Sequence, residues 1–72
     1  MKVLVYTKNS CGYCNMAKTL LKSKNIQFEE INIEDQPEAR NFVINEGHRT
    51  MPQIYIDDKS IGGYDALKNH LA

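Results

Sequence analysis

Hydrophobic and polar positions along the chain change period several times, and each change marks an element. Val3-Leu4-Val5-Tyr6 is a short β-rich run that reads as a buried strand. Thr7 to Ser10 is polar and reads as a loop. From about Cys11 to Lys24 the spacing turns helical: Cys14, Ala17 and Leu21 share one face with Leu20 beside them, while Lys18, Lys22 and Lys24 fall largely outside it and read as a solvated face. Ile26 and Phe28, then Ile31 and Ile33, form a second strand whose alternation slips phase between Phe28 and Ile31, so an irregularity is expected there. Asp35-Gln36-Pro37 starts a second helix, with proline in the first turn where its missing N–H costs nothing. Ala39, Phe42 and Val43 give that helix an apolar stripe, and Gly47 gives it a left-handed stop. Met51 to Asp57 alternates through Ile54 and Ile56 as a third strand, Asp57-Asp58-Lys59 is turn chemistry, and Ser60-Ile61 begins a fourth strand. Gly62-Gly63 breaks it, and Tyr64 to Leu71 closes with a short helix that turns Leu67 and Leu71 inward. Phe28, Phe42 and Leu67 are core candidates.

The order β-α-β-α-β-β-α restricts the topology. A strand–helix–strand start implies a right-handed parallel crossover, and the tight turn near Asp58 implies an antiparallel hairpin. Together they predict an α/β chain with a mixed four-stranded sheet and three helices, the minimal thioredoxin-like arrangement. With 72 residues and no repeat, low-complexity tract or linker, the expectation is one domain over residues 1–72.

Charge and length remove several function classes. Nine Lys+Arg balance nine Asp+Glu, and no basic patch is visible, which argues against an electrostatic nucleic-acid binder. The longest apolar run, Val3 to Tyr6, is far below the ~18 residues of a spanning helix and the ~7–15 of a signal-peptide core. The chain is therefore expected to be soluble and cytoplasmic, with no membrane partner, and to act as a monomer. In a reducing compartment its two cysteines are more readily chemical than structural. Glu29, Glu30, Glu34 and Asp35 read as a solvated acidic counterpart to the lysines, and His48 and His70, without a partner pattern, read as solvent-exposed.

Cys11-Gly12-Tyr13-Cys14 stands where the first strand ends and the first helix begins. A helix N-terminus carries unpaired N–H groups and about half a positive charge, and both stabilise a thiolate. Cys11 is expected at the exposed tip as the nucleophile, with Lys8 adding positive potential. Cys14, one turn in on the Ala17/Leu21 face, is expected to be buried and to resolve the mixed disulfide. Other readings compete. A structural disulfide closing so small a loop gives at most about 2 kcal/mol by chain entropy. A zinc site would need His48 and His70, whose separation is far from the ~3–5-residue spacer of a Cys2His2 finger, so no metal is expected. Two unreactive core thiols fit poorly with Gly-Tyr at a helix start.

Two further segments carry candidate chemistry. In Thr50-Met51-Pro52 the proline opens the third strand, where a missing donor is tolerated. A cis bond there would turn the Met51 N–H and C=O outward toward an extended peptide, but the residues alone favour the commoner trans form. In Gly62-Gly63-Tyr64-Asp65, glycines permit close backbone approach and the helix start suits a carboxylate. Asp65 can pair with an amine, although taken alone it reads as a helix cap.

These segments together resemble a glutaredoxin over nearly the whole length: Lys8-Asn9-Ser10-Cys11-Gly12-Tyr13-Cys14, then Arg49-Thr50-Met51-Pro52-Gln53-Ile54-Tyr55-Ile56, then Ile61-Gly62-Gly63-Tyr64-Asp65. The resemblance implies a glutathione-dependent thiol–disulfide oxidoreductase working through a Cys11/Cys14 redox-active disulfide. Its partners would be glutathione and disulfide-containing or glutathionylated proteins, ribonucleotide reductase among them. It implies a cis Pro52 and a glutathione groove lined by Thr50, Met51 and Pro52. In that groove Met51 pairs backbone to backbone with the cysteinyl part, and Gly63, Tyr64 and Asp65 hold the γ-glutamyl end. Lys8 and Arg49 meet the glycyl carboxylate, and Tyr13 forms a wall. The chain departs from the family in having Gly12 where Pro is common, Ala66 where an acid is common and Met51 where Val is usual. Looser variants at the Gly12 position bind a [2Fe–2S] cluster between two subunits with glutathione as co-ligand, which makes Cys11 a cluster ligand in one alternative. A redoxin recharged by thioredoxin reductase is the other.

Overall fold

The apolar run near the N-terminus becomes the strand around which the sheet is assembled. In a computed structural model describing residues 1–72, β1 (Val3–Thr7) lies between β2 (Glu29–Asn32), to which it is parallel, and β3 (Gln53–Ile56), to which it is antiparallel. β4 (Lys59–Gly62) pairs antiparallel with β3 at the outer edge. The helices are α1 (Gly12–Ser23), α2 (Pro37–Asn45) and α3 (Tyr64–Leu71). Element order and mixed sheet are those the sequence predicts.

Strand alternation divides the core into two layers. Val3, Val5, Ile54 and Ile56 meet Ala17 and Leu21 of α1 and Leu67 of α3 on one face. Tyr6 and Tyr55 meet Val43 of α2 on the other, with Leu4, Ile31, Ile33, Ala39 and Met51 around them. Strands covered on both faces read as continuous apolar runs rather than as alternations. The same layering accounts for the phase slip: Ile26 and Phe28 pack with the α1/α3 layer, whereas Ile31 and Ile33 pack with the α2 layer.

The second strand starts at Glu29 and not at Ile26, as the alternation suggested. The end of α1 explains this. Asn25 is left-handed (φ 58°), its N–H donates to the Lys22 carbonyl at 3.0 Å, and the Ile26 N–H donates to the Leu21 carbonyl at 3.0 Å. This Schellman closure folds Ile26 back onto the helix end, so pairing begins only three residues later. Gly47 ends α2 in the same way at φ 85°, as expected, with the Gly47 N–H on Ile44 and the His48 N–H on Val43. Asp57 and Asp58 both have positive φ (50° and 69°), the two-residue hairpin turn whose twist matches that of the strands it joins.

One core expectation is corrected. Phe42 is 39% exposed, with its ring stacked on Tyr6 at 5.5 Å between centroids. Val43 takes the inward direction on α2, so Phe42 lids the layer from its margin. No helix is long and apolar enough to cross a membrane.

Candidate active site

The cysteine pair owes its position to a strand end and a helix start. Thr7, buried at the end of β1, is followed by a loop in which Ser10 adopts φ 55° and turns the chain into α1. The loop is tied to the β2 side by the Asn9 N–H donating to Glu34 at 2.7 Å and by Asn32 donating to the Asn9 side chain at 2.9 Å. Cys11 is the N-cap of α1 in extended conformation, and its Sγ accepts the Cys14 N–H at 3.1 Å. The two sulfurs are joined as a disulfide, with Cα atoms 5.2 Å apart, inside the ordinary range. Cys14 is 1% exposed and faces the core, while Cys11 is only half-buried. No acidic side chain lies in the first turn of α1 to offset its positive end. Once the bond is reduced, Cys11 Sγ sits where a negative charge is stabilised by the Cys14 N–H and by the helix end.

The Met51–Pro52 peptide is cis. The trans form favoured by the residues alone is thereby corrected, and the family expectation holds. The reason is tertiary: Pro52 is buried, and its carbonyl lies 3.5 Å from where a Cβ on Gly63 would stand, so the loop is packed against the start of α3. The Met51 carbonyl oxygen lies 3.6 Å from Cys11 Sγ. Met51 belongs to no strand or helix, and its amide enters no backbone hydrogen bond.

Beside this loop runs a groove of about 430 Å³, lined by Tyr13, Thr50, Met51, Pro52 and the segment Gly63-Tyr64-Asp65-Ala66. The Tyr13 and Tyr64 ring centroids are 6.0 Å apart across one end, and Tyr13 is largely exposed. Gly62 is required here: its φ is 125°, and a Cβ would come within 2.9 Å of Ala66 Cβ. Gly63 caps α3 without any side-chain hydrogen bond, so the first N–H groups of that helix are left for a partner. The reading of Asp65 as a helix cap is therefore corrected. It lies in the first turn, beyond the cap position, where its carboxylate complements the helix dipole and is free to meet a cation.

A second depression, about 590 Å³, adjoins on the α2 side and shares Met51. Lys8 and Arg49 line this one with Met51, apart from Tyr13, Thr50, Pro52 and the Gly63 to Asp65 segment. Arg40, which the sequence reading missed, joins them. Arg40, Val43, Ile44 and Gly47 follow one another at helical spacing and line the same depression, a stripe that could have flagged Arg40 from spacing alone. His48 is not free in solvent as expected. The Schellman turn after α2 presents it to Tyr55, whose Oη lies 2.9 Å from His48 Nε2 and donates to Glu46 at 3.0 Å. Burial, followed by the Glu46 hydrogen bond, holds the Tyr55 hydroxyl above its ordinary pKa.

Lys18 and Glu30 are also corrected: Lys18 Nζ lies 3.0 Å from Glu30 Oε2, which accepts the Thr7 hydroxyl at 2.9 Å. Those hydrogen bonds, Lys18 first, hold the Glu30 carboxyl below its usual range. Parallel pairing places Glu30 beside Val5, on the α1 face of the sheet, which period-reading of a short strand did not reveal. No group of three metal-ligating side chains converges within the chain.

Comparison with known proteins agrees with this geometry. A family model described as glutaredoxin matches residues 3–61. Glutaredoxin 3 of Escherichia coli (strain K12) is 46% identical over 66 residues, spanning 90% of this chain and 80% of that one. Among solved structures, the glutaredoxin-like NrdH-redoxin of Escherichia coli superposes with a TM-score of 0.88 at 30% identity, covering 100% of this chain and 96% of that one. A buckwheat glutaredoxin–glutathione complex superposes with a TM-score of 0.80 at 27% identity, covering 96% and 67%.

Proposed function

Because this chain belongs to the glutaredoxin family, we propose that it is a glutathione-dependent thiol–disulfide oxidoreductase, acting as a cytoplasmic monomer on glutathione mixed disulfides and protein disulfides. Ribonucleotide reductase is one candidate acceptor by family analogy. The observation that carries the reading is Cys11 Sγ at the cap of α1, accepting the Cys14 N–H beside a groove that ends on the start of α3, where no side chain takes up the first N–H groups. In that groove the unpaired Met51 N–H and the neighbouring Met51 carbonyl suit the cysteinyl backbone of the tripeptide. The α3 N–H groups suit its γ-glutamyl carboxylate, and Asp65 suits the adjacent amine. Lys8 and Arg49 lie on the side where the glycyl carboxylate would emerge. A buckwheat relative solved as a glutathione complex supports glutathione as the ligand.

The chemistry is two-electron exchange. The Cys11 thiolate attacks one sulfur of the target, forms a mixed disulfide and expels the other sulfur as thiolate. With a glutathione mixed disulfide, the thiolate of a second glutathione then releases Cys11 and leaves as glutathione disulfide. With a protein disulfide, Cys14 gives its proton to the departing thiolate or to solvent and attacks Cys11 Sγ. This frees the second target thiol and restores the Cys11–Cys14 bond, which two glutathiones reduce.

Replacing Cys14 by serine separates the routes. C14S is expected to keep mixed-disulfide turnover within about threefold while losing at least about tenfold in protein-disulfide reduction. Parallel steady-state assays with a glutathionylated peptide and a disulfide-bonded protein check this, and equal loss of both would contradict it.

The likeness to NrdH-redoxin, whose activity profile is described as thioredoxin-like, favours one second reading, recharging by thioredoxin reductase. Gly62-Gly63-Tyr64-Asp65 supports glutathione instead. Turnover coupled separately to glutathione with its reductase and to thioredoxin reductase decides between them, and activity with the latter alone would overturn the proposal.

A further inference from the structure

We propose that the depression on the α2 side of Met51 is a docking subsite for an acidic polypeptide segment flanking the disulfide of a protein substrate, with Arg40, Lys8 and Arg49 as its charged contacts. This rests on the reading of Cys11 and Cys14 as a disulfide reductant and not on the choice of glutathione as recharging agent. Charge complementarity selects the occupant. The molecule's two ion pairs are Lys2–Asp58 and Lys18–Glu30, so all three cations of this depression lack an acidic partner. Formal charge over the chain is zero, so the surplus is local.

Size and placement extend the argument. At about 590 Å³ the depression is larger than the groove against α3, and far more than one carboxylate fills. Val43 and Met51 supply an apolar floor suited to the methylene stems of Glu and Asp. Met51 also places the subsite next to the reacting sulfur, because its carbonyl is 3.6 Å from Cys11 Sγ. A substrate joined through its cysteine to Cys11 thus has two directions in which to run. Toward α3 an acidic segment meets the Asp65 carboxylate, and toward α2 it meets three cations. The subsite therefore sets substrate preference and also the direction in which the substrate chain lies.

The test is single-turnover oxidation of the pre-reduced full chain by peptide disulfides identical except for Glu, Gln or Lys flanking the attacked cysteine. Each reaction converts the peptide disulfide to two thiols and the Cys11/Cys14 dithiol to the disulfide. The Glu peptide is expected to react about tenfold faster than the Lys peptide at low ionic strength, with the gap narrowing as salt is added. Arg40→Ala, an exposed helix substitution with little cost to folding, is expected to remove at least about threefold of the acidic advantage. It should leave the rates with the Gln peptide and with dithiodiethanol unchanged. Equal rates for the three peptides would overturn the subsite, as would an acidic preference untouched by R40A. Equal peptide rates with a raised KM for glutathione in R40A would assign the depression to the tripeptide alone and overturn the subsite while sparing the proposed function. Failure to reduce even dithiodiethanol would overturn both.

Discussion

Replacing Cys11 by serine is expected to lower turnover of every disulfide substrate at least about a thousandfold, because the bond-forming atom itself is removed. A serine hydroxyl at the cap of α1 would still accept the Cys14 N–H, so helix and fold are preserved. It would not ionise near neutral pH and would form no disulfide. Cys14 cannot substitute: it is 1% exposed and faces the core. The comparison to make is kcat/KM of C11S against that of the parent chain, with thermal unfolding measured alongside. A C11S chain of unchanged stability and near-parent turnover would move the nucleophile elsewhere.

Leu67→Ala is expected to give the largest loss of stability among single core truncations near the site, about 3 kcal/mol. Leu67 is fully buried and joins α3 to the layer shared by Val5, Leu21 and Ile54. A domain of this length has roughly 4–11 kcal/mol in total, so the change removes a large share and lowers Tm by roughly 10–25 °C. The effect should also reach the groove, because the Leu67 N–H makes the first α-helical bond of α3 to the Gly63 carbonyl. Loosening that turn displaces the N–H groups and Asp65 proposed to hold the γ-glutamyl end. KM for a glutathione mixed disulfide should rise in L67A below its Tm, while C11S leaves Tm near the parent value. Chemical denaturation and steady-state kinetics on the two variants check both halves of the expectation.

Much of this arrangement was legible in the order of residues, for identifiable reasons. β1 is apolar at successive positions because it is covered on both faces, and Pro37, Gly47 and the Asp57-Asp58 pair have backbone preferences that set boundaries whatever surrounds them. Cys11 and Cys14 were legible because an N-cap and a residue three positions later have a fixed relation on any helix. What escaped depended on which elements meet. Lys18 and Glu30 face each other only because β2 pairs parallel to β1 and under α1. His48 reaches Tyr55 because the turn after α2 closes toward β3. Asp65 has a side chain that favours the cap role, whereas the cap of α3 falls two residues earlier, at a glycine that packs against Pro52. The cis Met51–Pro52 bond is likewise decided by the packing of Pro52, which local preference does not report.

The proposed chemistry requires the tip of α1 to hold the Cys11 sulfur ionised at neutral pH, beside a groove able to seat a tripeptide. The most direct test is a pH titration of the reduced chain followed by thiolate absorbance, with C11S as the blank for Cys14. A single early transition well below that of a free cysteine is expected, belonging to Cys11 and absent in C11S. A Cys11 thiol that titrates at or above the free-cysteine value would contradict it.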